Sequence, residues 1–131
     1  LHGITQWIRE KIDQINSLQV VFFTRGDNIA NLNNAMLYVK TNENTNRIRI
    51  VTVVNDKKEV PAKLKKDIEF LDEAYPAMHI DFEIIEGQFG PELINELSAK
   101  WSIPKNFMFI GSPAGHMMYG LAELGGVRLI I

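Results

Sequence analysis

The residues of this chain that could do chemistry are three histidines, a serine after an apolar run, and several glycines near the C-terminus. His2, His79 and His116 are far apart in sequence and form no HxH or HExxH spacing, so no metal site is expected. The chain has 0 cysteines, which removes thiolate ligands, disulfides and thiol catalysis. Ser112 follows an apolar run as an activated serine would, but a nucleophile elbow needs GxSxG and the chain reads IGSPAG. Pro113 also lacks the backbone N–H that the residue after such a nucleophile gives to an oxyanion hole. The carboxylate pairs Asp72 with Glu73 and Glu83 with Glu86 fall on expected solvent faces, where burial would not tune them for acid–base work. No catalytic constellation results, and an enzyme is not expected.

Anion binding is the chemistry these residues favour most. Gly115 would let backbone N–H groups at a helix start approach a phosphate, with Arg25 opposite. The spacing Gly111, Gly115, Gly125, Gly126 is neither GxGxxG nor a Walker loop, and the same glycines serve turns. The candidate ligand-binding crevice is therefore Thr24, Arg25, Gly26, Asp27, Gly111, Ser112, Gly115 and His116. A nucleotide or other anion is the ligand it would suit; no cofactor is called for.

The elements that must position these residues follow from hydrophobic periodicity. Val20 to Phe23 and Phe107 to Ile110 are continuous apolar runs, expected of strands buried on both faces of a parallel sheet. Arg47 to Asn55, Met78 to Glu86 and Val127 to Ile131 supply three more strands. The clean alternation of Ile80, Phe82 and Ile84 with His79, Asp81 and Glu83 puts the third strand at an edge. Helical stripes fall between them: Ile29, Leu32, Met36, Val39, with Asp27 or Asn28 as a cap; Leu64, Ile68, Leu71, Tyr75 after Pro61; Leu93, Ile94, Leu97, Trp101 after Pro91; and a short one with Met117, Met118, Leu121 and Leu124 before Gly125. Thr41 to Asn46 reads as a polar loop. Strict β/α alternation predicts an α/β three-layer sandwich with a five-stranded, mainly parallel sheet in the order 3-2-1-4-5. The first and fourth strands would then be neighbours, with Thr24 to Asp27 facing Gly111 to His116 at the switch point where such sheets place ligands.

Residues 1–17 stand apart from that pattern. Ile4, Trp7, Ile8, Ile12 and Ile15 recur at helical spacing with Arg9, Glu10, Lys11, Asp13 and Gln14 between them, as in an amphipathic helix. Residues 18–131 are then a single α/β domain. With 131 residues and 46% hydrophobic content, the chain can bury a core without staples. A formal charge of -2 gives no basic field, so nucleic acid is not an expected partner. No apolar run approaches the length of a membrane span. The first residue is Leu1 rather than Met and the last, Ile131, closes an apolar run, which reads as a piece of a longer polypeptide.

At the level of element order the chain resembles the universal stress protein fold, whose ATP-binding members carry GxxG, nine residues, then G[ST]. Gly115 to Gly125 has that nine-residue gap, but Gly111 to Gly115 encloses three residues and Gly126 stands at the serine or threonine position, so the ATP site is not carried over. The runs HGITQWIREKI, VVFFTRGDN, LNNAMLYVKTNENTNRIRIVTVVND, VPAKLKKDIEFLDEAYPAMHIDF, GQFGPELINELSAKW, IPKNFMFIGSP and LAELGGVRLI resemble the C-terminal cytoplasmic domain of permeases in the amino acid–polyamine–organocation (APC) superfamily. That resemblance implies a non-enzymatic regulatory or dimerisation domain at the cytoplasmic face of the cell membrane, as part of an integral membrane protein. Its partners would be the transmembrane part of the same polypeptide and a second copy of the domain. Residues 4–16 would be the connector, with Trp7 and Ile8 as contact residues. Ala114 to Gly120, AGHMMYG, departs from the more charged sequence expected of relatives at the crevice.

Overall fold

The computed structural model describes residues 18–24, 29–111 and 124–130. Five strands, β1 (Val20–Thr24), β2 (Arg47–Val54), β3 (His79–Glu86), β4 (Met108–Ile110) and β5 (Arg128–Leu129), form one sheet in the order β3-β2-β1-β4-β5. Every pairing is parallel. The helices α1 (Ile29–Asn42), α2 (Ala62–Ala74) and α3 (Pro91–Trp101) connect the strands. The three-layer α/β architecture and strand order expected from the sequence are thus the ones observed. The stretches expected to form the leading helix and most of the last helix lie outside the described residues.

Alternation along the strands sorts their side chains into two cores. One face carries Val20, Phe22, Ile48, Ile50 and Phe109, covered by Leu32, Ala35, Met36 and Val39 of α1 and Leu64, Ile68 and Leu71 of α2. The other carries Val21, Phe23, Val51, Met108 and Ile110, under Ile94 and Leu97 of α3. The helix residues recur three and four positions apart, which is why one stripe of each helix is dry. All five residues of β1 are buried, as befits the middle of a sheet, whereas β3 at the edge is half-buried along most of its length.

Local chemistry sets the boundaries. Helix α1 continues through Thr41 and Asn42, which the polar composition had assigned to a loop. There the Asn42 side-chain amide donates to the Tyr38 carbonyl at 3.2 Å, and the Glu43 N–H reaches the Val39 carbonyl at 3.0 Å. The second bond satisfies one of the four carbonyls the last turn would otherwise leave open. Pro61 precedes α2 as its cap residue rather than occupying its first turn, while Pro91 opens α3 as expected. Helix α3 ends on Ser102 in the left-handed region (φ 53), with the Ile103 N–H donating to the Ser98 carbonyl at 3.1 Å. β5 is shorter than Val127 to Ile131, but the Ile130 N–H still reaches the Ile110 carbonyl at 2.9 Å.

Candidate functional site

The carboxyl ends of β1 and β4 are the place where a parallel sheet of this order opens. Phe23 and Ile110 are register partners, so the residues that follow them, Thr24 and Gly111, leave the sheet side by side. Thr24 is 1% exposed, and its register partner on β2 is Thr52, 4% exposed; they are the buried polar residues among those described. Their β-branched stems suit a buried strand position. Phe89, from the loop after β3, packs edge-to-face on Phe23 with centroids 5.3 Å apart, adding an apolar contact on the α3 side near this end of β1.

The neighbouring carboxyl ends of β2 and β3 are closed by the chain itself. The Gly87 N–H donates to the Val54 carbonyl at 2.9 Å, and the Lys57 N–H donates to Glu86 Oε1 at 3.1 Å. A short 3-10 turn, Lys57–Glu59, sits there, with the Asp56 carboxylate accepting from the Lys58 N–H at 2.9 Å. Of the eight residues chosen from sequence, Thr24 and Gly111 are brought together. Arg25, Gly26, Asp27, Ser112, Gly115 and His116 lie outside the described residues, as does the expected Asp27 or Asn28 cap of α1. Among the described residues, no group of three His, Asp or Glu side chains is placed to hold a metal ion.

A second polar cluster, unforeseen from the sequence, lies at the amino ends of the strands on the α3 face. Arg49 Nη1 donates to Glu83 Oε2 at 2.9 Å, and its guanidinium stacks 4.4 Å from the centroid of Trp101. Asp81 accepts from Gln19 Nε2 at 3.1 Å and lies 3.3 Å from His79 Nε2. Arg49 pairs in register with Asp81, so two strands, the residue before β1 and the last residue of α3 contribute. The sequence signal was there: Arg47 and Arg49 alternate on β2 just as His79, Asp81 and Glu83 do on β3. Read strand by strand, that pattern meant solvent exposure. Side by side in register, with an indole over one member, it is a half-buried network in which Glu83 is paired.

No family model, curated protein or solved structure matches this chain. No helix among the described residues is long and apolar enough to cross a membrane.

Proposed function

We propose that this chain is a non-enzymatic cytoplasmic regulatory or dimerisation domain of an amino acid or cation permease of the APC superfamily. It acts at the cytoplasmic face of the cell membrane through the transmembrane part of the same polypeptide. The observation that carries this reading is the resemblance of seven runs, spread from HGITQWIREKI to LAELGGVRLI, to that domain. The parallel sheet in the order 3-2-1-4-5 is the architecture the resemblance implies, and so supports it. Removing residues 1–131 from the longer polypeptide is expected to change transport, its regulation or its assembly. A polypeptide unaltered in all three respects contradicts the proposal.

A second reading is favoured by one observation, the side-by-side exit of Thr24 and Gly111 at the switch point. On this reading the domain senses an adenine nucleotide or a cyclic dinucleotide, in the manner of universal stress proteins, with Arg25 supplying a positive charge for the phosphates. Calorimetric titration with ATP, AMP and cyclic di-AMP tests it. Saturable heat with one of them, weakened by Arg25→Ala, is the expected result; no heat with any of the three removes the reading.

A further inference from the structure

The outer surface of α2 is charged, and its charges are sorted along the helix. Lys63, Lys65 and Lys66 lie in the amino-terminal half and Glu69, Asp72 and Glu73 in the carboxyl-terminal half, all six exposed, with Asp67 between them. We propose that this surface is a self-association site, against which a second copy of the chain packs its own α2 antiparallel. The inference deepens the dimerisation reading above by naming its surface, and to that extent rests on it.

Three observations carry it. First, the sorting is the reverse of what a helix favours on its own, because the N-terminal end of the helix dipole suits acids and the C-terminal end suits bases. Helix α2 has no acid in its first turn and no base in its last. Its neighbours follow the rule: Lys40 lies in the last turn of α1, and Glu92 and Lys100 lie in the first and last turns of α3. Second, the charges of α2 form no ion pairs with one another. The pairs among the described residues are Arg49–Glu83, His79–Asp81 and Arg128–Glu43, so contacts within the helix do not account for the pattern. A second copy does account for it, since a twofold axis lays the basic half of each α2 on the acidic half of the other. A partner surface of a single sign would be repelled at one end. Third, the middle of the surface holds an apolar anchor, Phe70, which at 59% is the most exposed large hydrophobic side chain among the described residues. Lys63, Lys66, Phe70 and Glu73 follow one another at intervals of three, four and three, so they form one stripe away from the buried Leu64, Ile68 and Leu71. That stripe is complementary to itself when reversed. With the axis at the level of Ile68, Lys63 stands opposite the partner's Glu73, and Lys66 stands opposite the partner's Phe70, where its stem and ammonium suit the ring.

Sedimentation equilibrium of the 131-residue chain tests the proposal. One helix surface is smaller than the about 800 Å² per partner of a standard interface, so association is expected to be weak and is followed from micromolar to millimolar protein. The parent chain is expected to show a monomer–dimer equilibrium that Phe70→Ser and Lys63→Glu each weaken about tenfold or more. Lys63→Glu combined with Glu73→Lys is expected to restore it, because the exchanged pair is again complementary. A merely solvated surface predicts something else: Lys63→Glu raises the melting temperature by relieving the helix end and leaves sedimentation unchanged. A chain that is monomeric throughout, or an association that neither single substitution weakens, overturns the proposal. Association lost with Lys63→Glu and not regained with Glu73→Lys overturns the antiparallel pairing. The readout is the oligomeric state of this chain alone, so a negative result leaves the transport test of the proposed function standing, and a dimer through α2 does not rescue that function if the transport test fails.

Discussion

The face of the sheet under α1 and α2 and the face under α3 are made by alternate residues of the same strands, yet they solve different problems. On the first, Phe22, Ile48, Ile50 and Phe109 are closed over by two helices, and the charge that does occur is anchored at the edge. There Arg128 lies 4.3 Å from the Phe109 ring centroid, donates through Nε to the Asn106 carbonyl at 2.7 Å, and pairs through Nη2 with Glu43 at the end of α1. Tyr38 closes over the same ring edge-to-face at 5.5 Å. On the second face, Val21, Phe23, Val51 and Met108 pack under α3, but β2 and β3 contribute Arg49, Asp81 and Glu83 at the helix's margin, half-open to water. Both faces thus carry an ion pair at a margin, but on the second the charged residues come from two neighbouring strands and stay half-open to water. The difference teaches that both faces hold a core, while only the second leaves a half-open ionic margin at β2 and β3, the surface on which the proposed regulatory role would draw.

Substitutions can break that comparison. The largest effect is expected on the closed face: Phe109→Ala removes the ring on which Tyr38 and Arg128 both rest, and urea unfolding should show a loss of about 3–5 kcal/mol. A loss under about 1 kcal/mol, the size expected of an exposed site, would mean the face is not the closed core described here. Arg128→Ala should cost about 1–2 kcal/mol, from the ring contact and the Glu43 pair together. If it cost nothing, the edge strand would be held by backbone bonds alone.

On the open face the expected effects are smaller and differ in kind. Glu83→Ala leaves Arg49 without its ion-pair partner and should cost about 1 kcal/mol. Arg49→Met combined with Glu83→Leu should return to within about 0.5 kcal/mol of the parent, because replacing both partners leaves no stranded charge. A double variant much less stable than Glu83→Ala would show that the network serves the fold after all. The smallest change sharpens the boundary of this face: Ser102→Gly relieves the left-handed residue that ends α3 beside Trp101. It should raise stability by about 0.5–1 kcal/mol while leaving the Arg49 contacts as they are.

How much of this was legible beforehand depended on the range of the interactions. The apolar runs of β1 and β4 and the stripe Leu32, Met36, Val39 are local patterns, and they led to the correct layers and strand order. The edge position of β3 followed from the alternation of His79, Asp81 and Glu83 with Ile80, Phe82 and Ile84. The two further residues of α1 are not legible because Thr41 and Asn42 are weak helix formers on their own, and the Asn42 side-chain bond to the Tyr38 carbonyl is no part of a linear pattern. The Arg49 network escaped for a different reason. Its members come from separate strands and the end of a helix, and only the register of β2 against β3, together with the landing point of Trp101, puts them in contact. Trp101 had been read as part of a buried stripe; it is half-buried because its ring face is given to a guanidinium rather than to another apolar side chain. At the crevice, Thr24 and Gly111 were chosen from architecture, and the pairing of Phe23 with Ile110 brings them together.

The most direct measurement is transport by the longer polypeptide that the proposed function implies, with the two faces of this domain changed separately. One variant carries Arg49→Met, Asp81→Asn and Glu83→Leu on the open face; the other carries Leu37→Ser on the exposed surface of α1. The account predicts that the first alters the regulation or assembly of transport while the purified domain keeps its melting temperature, and that the second leaves transport as it was. Unchanged transport in the first variant, or a change confined to the second, would contradict it.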